Sequence, residues 1–279
     1  MPDFSVGVMQ ADTSRGPSAS VWRNCPWHEL PPYGFQRSGV PLFDDFTTAS
    51  AALTNAALSN YKVVGTTGTA ALISTSDGGV VSLIPGAGAN QETYLVWGQA
   101  LGSVGEILNG TKNELWFECR VKFVNIVDGG YFFGLAKPTD VASGFLVNTT
   151  TVLASTVNAV GFNVSNSTPA NVDIVYAKGA APTIYKANAK TVVTTKFVKL
   201  GMRFGGTTDN NLIRFYVDGT EVASTAGTFG VAANATNFPS SIQLTPVLCS
   251  KNVSGTSNLC TVDWWRMALV IEDATQGQA

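Results

Sequence analysis

From Tyr61 onward, short apolar runs alternate with Gly, Asn, Ser and Thr at brief intervals. The segment "ELWFECRVKFVNIV", residues 114 to 127, alternates with period two. Leu115, Phe117, Cys119, Val121 and Phe123 fall on one side; Glu118, Arg120 and Lys122 fall on the other. Successive side chains of a strand point to opposite faces, so this pattern predicts a strand with one buried face. In "KFVKLGMRF" the same rule puts Val198, Leu200, Met202 and Phe204 inside, with Lys196, Lys199 and Arg203 outside or at the end. "YKVVGT", "AALISTS", "VVSLI", "TYLVWG", "YFFGLA", "NAVGFNV", "VDIVYA", "TIYKA", "SIQLTPVL" and "TVDWWRMALVI" read as further strands. Ala-rich "TTASAALTNAALSN", 47 to 60, predicts a short helix. In "GQALGSVGEILNG", 98 to 110, four glycines argue against one. Many short strands with turn signals between them predict an all-β antiparallel sandwich in one domain.

The clearest local signal is "LIRFYVDGTEVAST", 212 to 225, where Asp-Gly joins two β-type runs. A two-residue turn at Asp218-Gly219 sets Val217 opposite Thr220, Phe215 opposite Val222 and Ile213 opposite Ser224. Ile213, Phe215, Val217 and Val222 then face inward, and Arg214, Tyr216 and Glu221 face outward.

Residues 1–43 differ from the body at 44–279. "VWRNCPWHELPPYGFQRSGVPLF" combines Pro26, Pro31, Pro32 and Pro41 with Trp22, Trp27, Tyr33 and Phe35. Proline blocks helix and central strand, so an extended, irregular arm is expected. Disordered tails are poor in aromatics; this arm is rich in them, so it docks, either on its own domain or on a neighbouring subunit.

Charge narrows the function classes. Only 13% of residues are charged and the net charge is −2, against about 25% charged in average soluble domains. That leaves no basic footprint for nucleic acid. Such a surface suits contact with neighbouring subunits, because charge is depleted at the core of interfaces. No apolar run approaches the ~18 residues of a spanning helix. The first twenty residues lack a basic leader and apolar stretch, so no secretory signal is expected. The Asn-x-Ser/Thr sequons, Asn163 among them, then reflect composition rather than glycosylation. Four cysteines with no Cys-x-x-Cys spacing do not make a disulfide scaffold; a Cys249–Cys260 bridge is not expected in a reducing compartment.

"LWFECRVKF", "YFFGLA", "VKLGMRF", "LIRFYVDGTEVAST" and "VDWWRMALV", in this order, resemble the concanavalin A-like jelly roll in its LamG-like form. "DDF" at 44 to 46 resembles that family's entry into the domain. The resemblance implies an antiparallel jelly-roll β-sandwich with an extended N-terminal arm. That superfamily includes lectins, glycan-degrading enzymes, adhesion modules and virion proteins, so the fold alone does not choose a function. The aromatic arm and the Thr/Ser/Asn/Gly-rich body are most similar to structural proteins of tailed-bacteriophage particles, in particular capsid decoration or cement proteins.

The residues do not offer catalysis. The Glu-x-Asp-x-x-Glu strand motif of laminarinase-like enzymes is missing. Glu114 and Glu118, the nearest imitation, lie about 13 Å apart along a strand at ~3.3 Å per residue, beyond the roughly 5–9.5 Å of glycosidase pairs. His28, the single histidine, sits in the arm without a Gly-x-Ser-x-Gly elbow, and one histidine with scattered cysteines makes no zinc site. "TTDNN", 207 to 211, and Asp128 are candidate calcium oxygens that turn geometry explains better. No cofactor is expected. Trp116, on the face of Glu118 and Arg120, and Trp264, on the face of Arg266, are candidate glycan platforms; packing under a loop or against a partner is the commoner use of such rings.

The expectation is therefore a non-enzymatic virion protein on the capsid surface, made in the host cytoplasm. Its partners would be the major capsid protein and copies of itself, as dimer or trimer. Trp22, Trp27, Tyr33 and Phe35 would anchor the arm. The alternative is a carbohydrate-binding module on a phage tail or fibre that recognises host polysaccharide.

Overall fold

The computed structural model describes residues 16–25, 38–46, 52–53, 61–64, 68–72, 79–97, 105–107, 110–194, 196–254 and 260–271. Strands β1 (Ser38–Asp44), β2 (Ala52–Leu53), β3 (Tyr61–Val64), β4 (Thr69–Leu72), β5 (Val81–Ile84) and β6 (Glu92–Trp97) come first. β7 (Gly105–Glu106), β8 (Glu114–Phe123), β9 (Gly129–Ala136), β10 (Asn158–Val164), β11 (Asn171–Lys178) and β12 (Thr183–Thr191) follow. β13 (Val198–Phe204), β14 (Leu212–Val217), β15 (Thr220–Glu221), β16 (Val231–Ala232), β17 (Gln243–Asn252) and β18 (Cys260–Ile271) complete the order.

The strands pair antiparallel in two sheets. The first runs β15-β14-β13-β8-β18-β5-β4-β2, with β1 also on β18 and β16 on β14. The second runs β12-β11-β10-β9-β17-β6-β3, with β7 on β17. The period-two residues do what the sequence predicts. Leu115, Phe117, Cys119, Val121 and Phe123 join Val198, Leu200, Met202 and Phe204 in one core with Phe133, Val160, Phe162 and Ile174 of the opposite sheet. Phe123 sits edge-on to Tyr131 and Phe133, with centroids 5.0 and 5.7 Å away, an arrangement that lets ring edges meet ring faces.

Two local devices adjust the register. β18 carries a bulge between Val262 and Trp264. The extra residue, Asp263, keeps Val262 in the core and also turns Trp265 and Met267 inward, while Trp264 stays opposite Arg120 on the outer face. At the 212–225 hairpin, Asp218 (φ 50°) and Gly219 (φ 77°) form the expected left-handed pair. Val217 faces Thr220, and the Val222 N–H donates to the Phe215 carbonyl. The next expected pair fails: Ile213 pairs with Val231 of β16, because the return strand leaves the sheet after Glu221.

Two expectations for the N-terminal third change. β1 starts at Ser38, so the sandwich begins inside the segment assigned to the arm. Pro41 fits because β1 is an edge strand, paired with β18 alone among the described residues. Of the expected helix at 47–60, the described residues Ala52–Leu53 are a strand paired with Ala70 and Ala71.

Both sheets are covered on their outer faces as well. Residues 137–157, between β9 and β10, lie over the second sheet: Val141, Phe145, Leu146 and Leu153 pack on Tyr94, Val96, Phe132 and Val247. Residues 16–25 lie over the first, where Val21, Trp22 and Cys25 pack on Trp116, Tyr216 and Ala268. Gly201 makes the second contact feasible. A Cβ there would stand 2.8 Å from a Val21 methyl, so a side chain at 201 would force Val21 off its place on β13. The four cysteines are buried thiols, with no disulfide among them. Cys249 belongs to the outer cluster and Cys260 to the inter-sheet core, so the two thiols serve different layers.

Candidate functional site

The arm turn is fastened by named contacts. The Glu118 carboxylate accepts from the Ser18 N–H (3.0 Å to Oε2) and from the Trp22 indole N–H (2.7 Å). Lys199 donates to the Gly16 carbonyl at 3.1 Å, and the Ser20 hydroxyl donates to the Gly219 carbonyl. Burial is the main influence on Glu118 and pushes its pKa up; the arm's donors and Lys199 pull it back.

Where this turn crosses the β13–β14 edge, a cavity of about 350 Å³ opens, lined by Ser20, Arg23, Arg203, Asp209, Arg214, Tyr216 and Glu221. Every lining residue from the sheet is on the outward phase of its strand. Arg203 and Arg214 stand directly opposite each other on neighbouring strands, a like-charge pair that destabilises a ladder by itself. Asp209 relieves it. The chain leaves β13 through a 3₁₀ turn, Gly206–Asp209, and comes back through left-handed Asn210 and Asn211. That path carries the Asp209 carboxylate onto Arg214 in a fork, with Nε to Oδ2 at 2.8 Å and Nη2 to Oδ1 at 2.9 Å. The third donor of Arg214, Nη1, reaches Glu221 Oε1 at 2.7 Å. Hydrogen bonding from Arg214 holds Asp209 below the usual carboxylate range, and Asp209, then Glu221, push Arg214 up. Asp209 and Arg214 are thus held as an ion pair at neutral pH.

Arg203 is less well served. It is 5% exposed, its Nη2 approaches Asp209 only to 4.0 Å, and its Nε has no hydrogen-bond partner. Trp116, directly opposite Arg203 on β8, is also buried with its indole N–H unpaired. Two orphan donors therefore sit at adjacent positions of one sheet face. Burial of an unpaired donor costs about 1–3 kcal/mol, more when it is charged.

The candidate residues named from sequence fare differently. Trp116 is 0% and Trp264 4% exposed. Neither offers an open ring face, which corrects the platform assignment: the arm covers the face that carries Trp116. Trp22 docks on its own domain, the first of the two arm readings. Trp27, Tyr33, Phe35 and His28 lie outside the described residues. Glu118, Arg203 and Tyr216, expected in solvent, are buried. In "TTDNN" the Asp209 carboxylate is occupied by Arg214, and among the described residues no three His, Cys, Asp or Glu side chains are grouped to hold a metal ion. Asn163 is buried, donating to the Tyr131 and Thr151 carbonyls, so that sequon is structural.

No protein-family model matches the chain, and no curated protein sequence matches it. Solved structures do. A protein of unknown function from Shewanella oneidensis MR-1 superposes at a TM-score of 0.53 with 14% identity, covering 88% of this chain and 92% of that one. The potassium-bound carbohydrate recognition domain of Emp46p gives 0.52 and 10%, covering 80% and 94%. The endo-1,3-beta-glucanase of Streptomyces sioyaensis gives 0.52 and 13%, covering 88% and 100%. The fold is a concanavalin A-like jelly-roll sandwich. At such identities the likeness carries the architecture and no residue role.

The pocket residues were present in the sequence as outward charges of "RFGGTTDNNLIRFYVDGTE", 203 to 221. The useful signal was two arginines on paired strands with an aspartate in the connecting turn. The arm side, Ser20 and Arg23, has no such signal, because it is nearly two hundred residues away in the chain.

Proposed function

We propose that this chain is a non-catalytic saccharide-binding sandwich whose ligand enters the arm-walled pocket on the first sheet. The observation that carries this is the pocket itself: a cavity of about 350 Å³, of the size of small-molecule sites, rich in fixed polar groups and flanked by the Tyr216 ring. The fold is shared with a carbohydrate recognition domain and a glucanase, which supports a sugar as the ligand class. Asp209 does not suit the general-acid role of hydrolysis. A glycosidase needs one carboxyl held protonated as general acid, whereas Asp209 is held ionised by Arg214.

Calorimetric titration of the intact protein with a panel of oligosaccharides tests the reading. Saturable binding is expected, weakened roughly five- to tenfold by Tyr216→Phe if its hydroxyl makes one hydrogen bond of about 1 kcal/mol. Binding that Tyr216→Phe and Arg23→Ala both leave untouched would place the sugar elsewhere and sink the reading.

A structural role in a phage particle is the second reading, supported by the low charge and by Phe43, Val127, Ile184 and Phe229, which are half or more exposed. It requires a dimer or trimer in solution and co-sedimentation with particles. A monomer at every concentration in sedimentation velocity, with no particle association, overturns it.

A further inference from the structure

We infer that the saccharide recognised in this pocket is acidic, its carboxylate or sulfate group seated against Arg203. This rests on the saccharide-binding reading and specifies its ligand. Three guanidiniums against two carboxylates leave one positive charge in excess at the site, on a chain whose overall charge is −2. The excess is not shared evenly. Arg214 has both carboxylates, with every nitrogen of its guanidinium bonded. Arg203 has only the 4.0 Å approach to Asp209, and its Nε is unpartnered although the side chain is only 6% exposed.

A buried guanidinium without a close counter-ion is unfavourable, since removal from water is compensated only by a well-placed partner. A sugar hydroxyl satisfies one N–H and leaves the charge. A carboxylate or sulfate accepts from Nε and a terminal nitrogen together, the planar two-point geometry that arginine offers and lysine does not. Arg23, exposed on the arm at the mouth of the same cavity, adds a second cation where an incoming anion passes. Asp209 and Glu221 both hydrogen-bond Arg214, so the pocket is split into a satisfied half and an anion-accepting half. The Trp116 indole N–H, on the strand beside Arg203, marks the same half as short of acceptors.

The test is titration of the intact chain at low and high salt with four probes: a neutral glucan hexasaccharide, an oligogalacturonate of equal length, a sulfated oligosaccharide of equal length, and inorganic sulfate. At least one acidic saccharide is expected to bind tenfold or more tighter than the neutral one, with the preference shrinking at high salt. Arg203→Lys, which keeps the charge but not the two-point geometry, is expected to lose most of the preference for the acidic probe. Arg23→Ala, an exposed change that does not threaten folding, is expected to lower the acidic probe's association rate and flatten its salt dependence. Equal binding of neutral and acidic probes overturns the inference and leaves the saccharide reading standing. Inorganic sulfate binding as tightly as the sulfated sugar overturns the saccharide part and keeps the anion site. No binding by any probe overturns both.

Discussion

Replacing Lys251 by Met lowers the stability of the fold by about 3–5 kcal/mol, the usual penalty for stranding one partner of a buried ion pair. The Lys251 ammonium is fully buried and uses all three of its protons. It donates to Glu92 Oε1 at 2.6 Å, to the Leu146 carbonyl at 2.6 Å and to Asn148 Oδ1 at 2.9 Å. Glu92 lies directly opposite on β6 and accepts the Gly144 N–H with its other oxygen at 2.9 Å. The pair is thus a staple between the second sheet and residues 137–157, whose apolar side chains cover that sheet's outer face. Without the lysine, a buried carboxylate faces an orphan carbonyl and amide. A drop in melting temperature of roughly 10 °C is expected, at ~2–4 °C per kcal/mol for a domain of this size. Glu92→Gln combined with Lys251→Met removes the stranded charge and keeps an acceptor for Gly144, so the double variant should regain much of the loss. Urea midpoints of the two singles and the double decide this; additive losses would show that the two groups do not act as a pair.

That staple explains which parts of the molecule were legible in the sequence. Alternation assigned the inner faces correctly because burial between two sheets imposes period two on each strand separately. Leu115, Phe117 and Cys119 need no knowledge of the rest of the chain. The outer faces obey the same period but do not say what lies on them. Glu118 reads as a solvent-facing charge and Lys251 is marked by no local pattern, yet one holds the Trp22 indole and the other holds Leu146 and Asn148. Their partners are 96, 105 and 103 residues away, beyond any local pattern. The same holds for the pocket: its strand half follows from outward arginines on paired strands, and its arm half follows only from docking. The β18 bulge was hidden for another reason. In "VDWWRMALV" both tryptophans are apolar, so the run does not reveal which one crosses to the core. Asp263 decides it, since its carboxylate pairs with Arg120 across the sheet and takes the position where the extra residue is inserted.

Trp22→Ala is the second large change, expected to remove about 3–5 kcal/mol, the range for deleting a buried Trp or Phe side chain. Part of that loss is packing on Trp116, Tyr216 and Ala268, and part is the bond to Glu118. Trp22→Phe separates them: the ring stays, the donor goes, and a loss of about 1.5–3 kcal/mol is expected for a hydrogen bond to a charged group. The pH dependence gives an independent reading of the same contact. The Glu118 pKa in the fold is raised above the carboxylate's ordinary 4.5, burial being the largest cause. The native state therefore keeps a proton that the unfolded chain releases, and this group's contribution to stability falls as pH climbs from about 4.5 through the raised value, then levels off. Losing the Trp22 donor removes one of the influences that lower that value, so Trp22→Phe should deepen the fall, and Glu118→Gln, which keeps an acceptor but cannot titrate, should abolish this component. Unfolding midpoints of the three proteins from pH 4 to 8 measure it as differences from wild type. If Trp22→Phe and wild type show the same pH profile, the indole N–H is not supporting the carboxylate, and the Trp22 ring is held by packing alone.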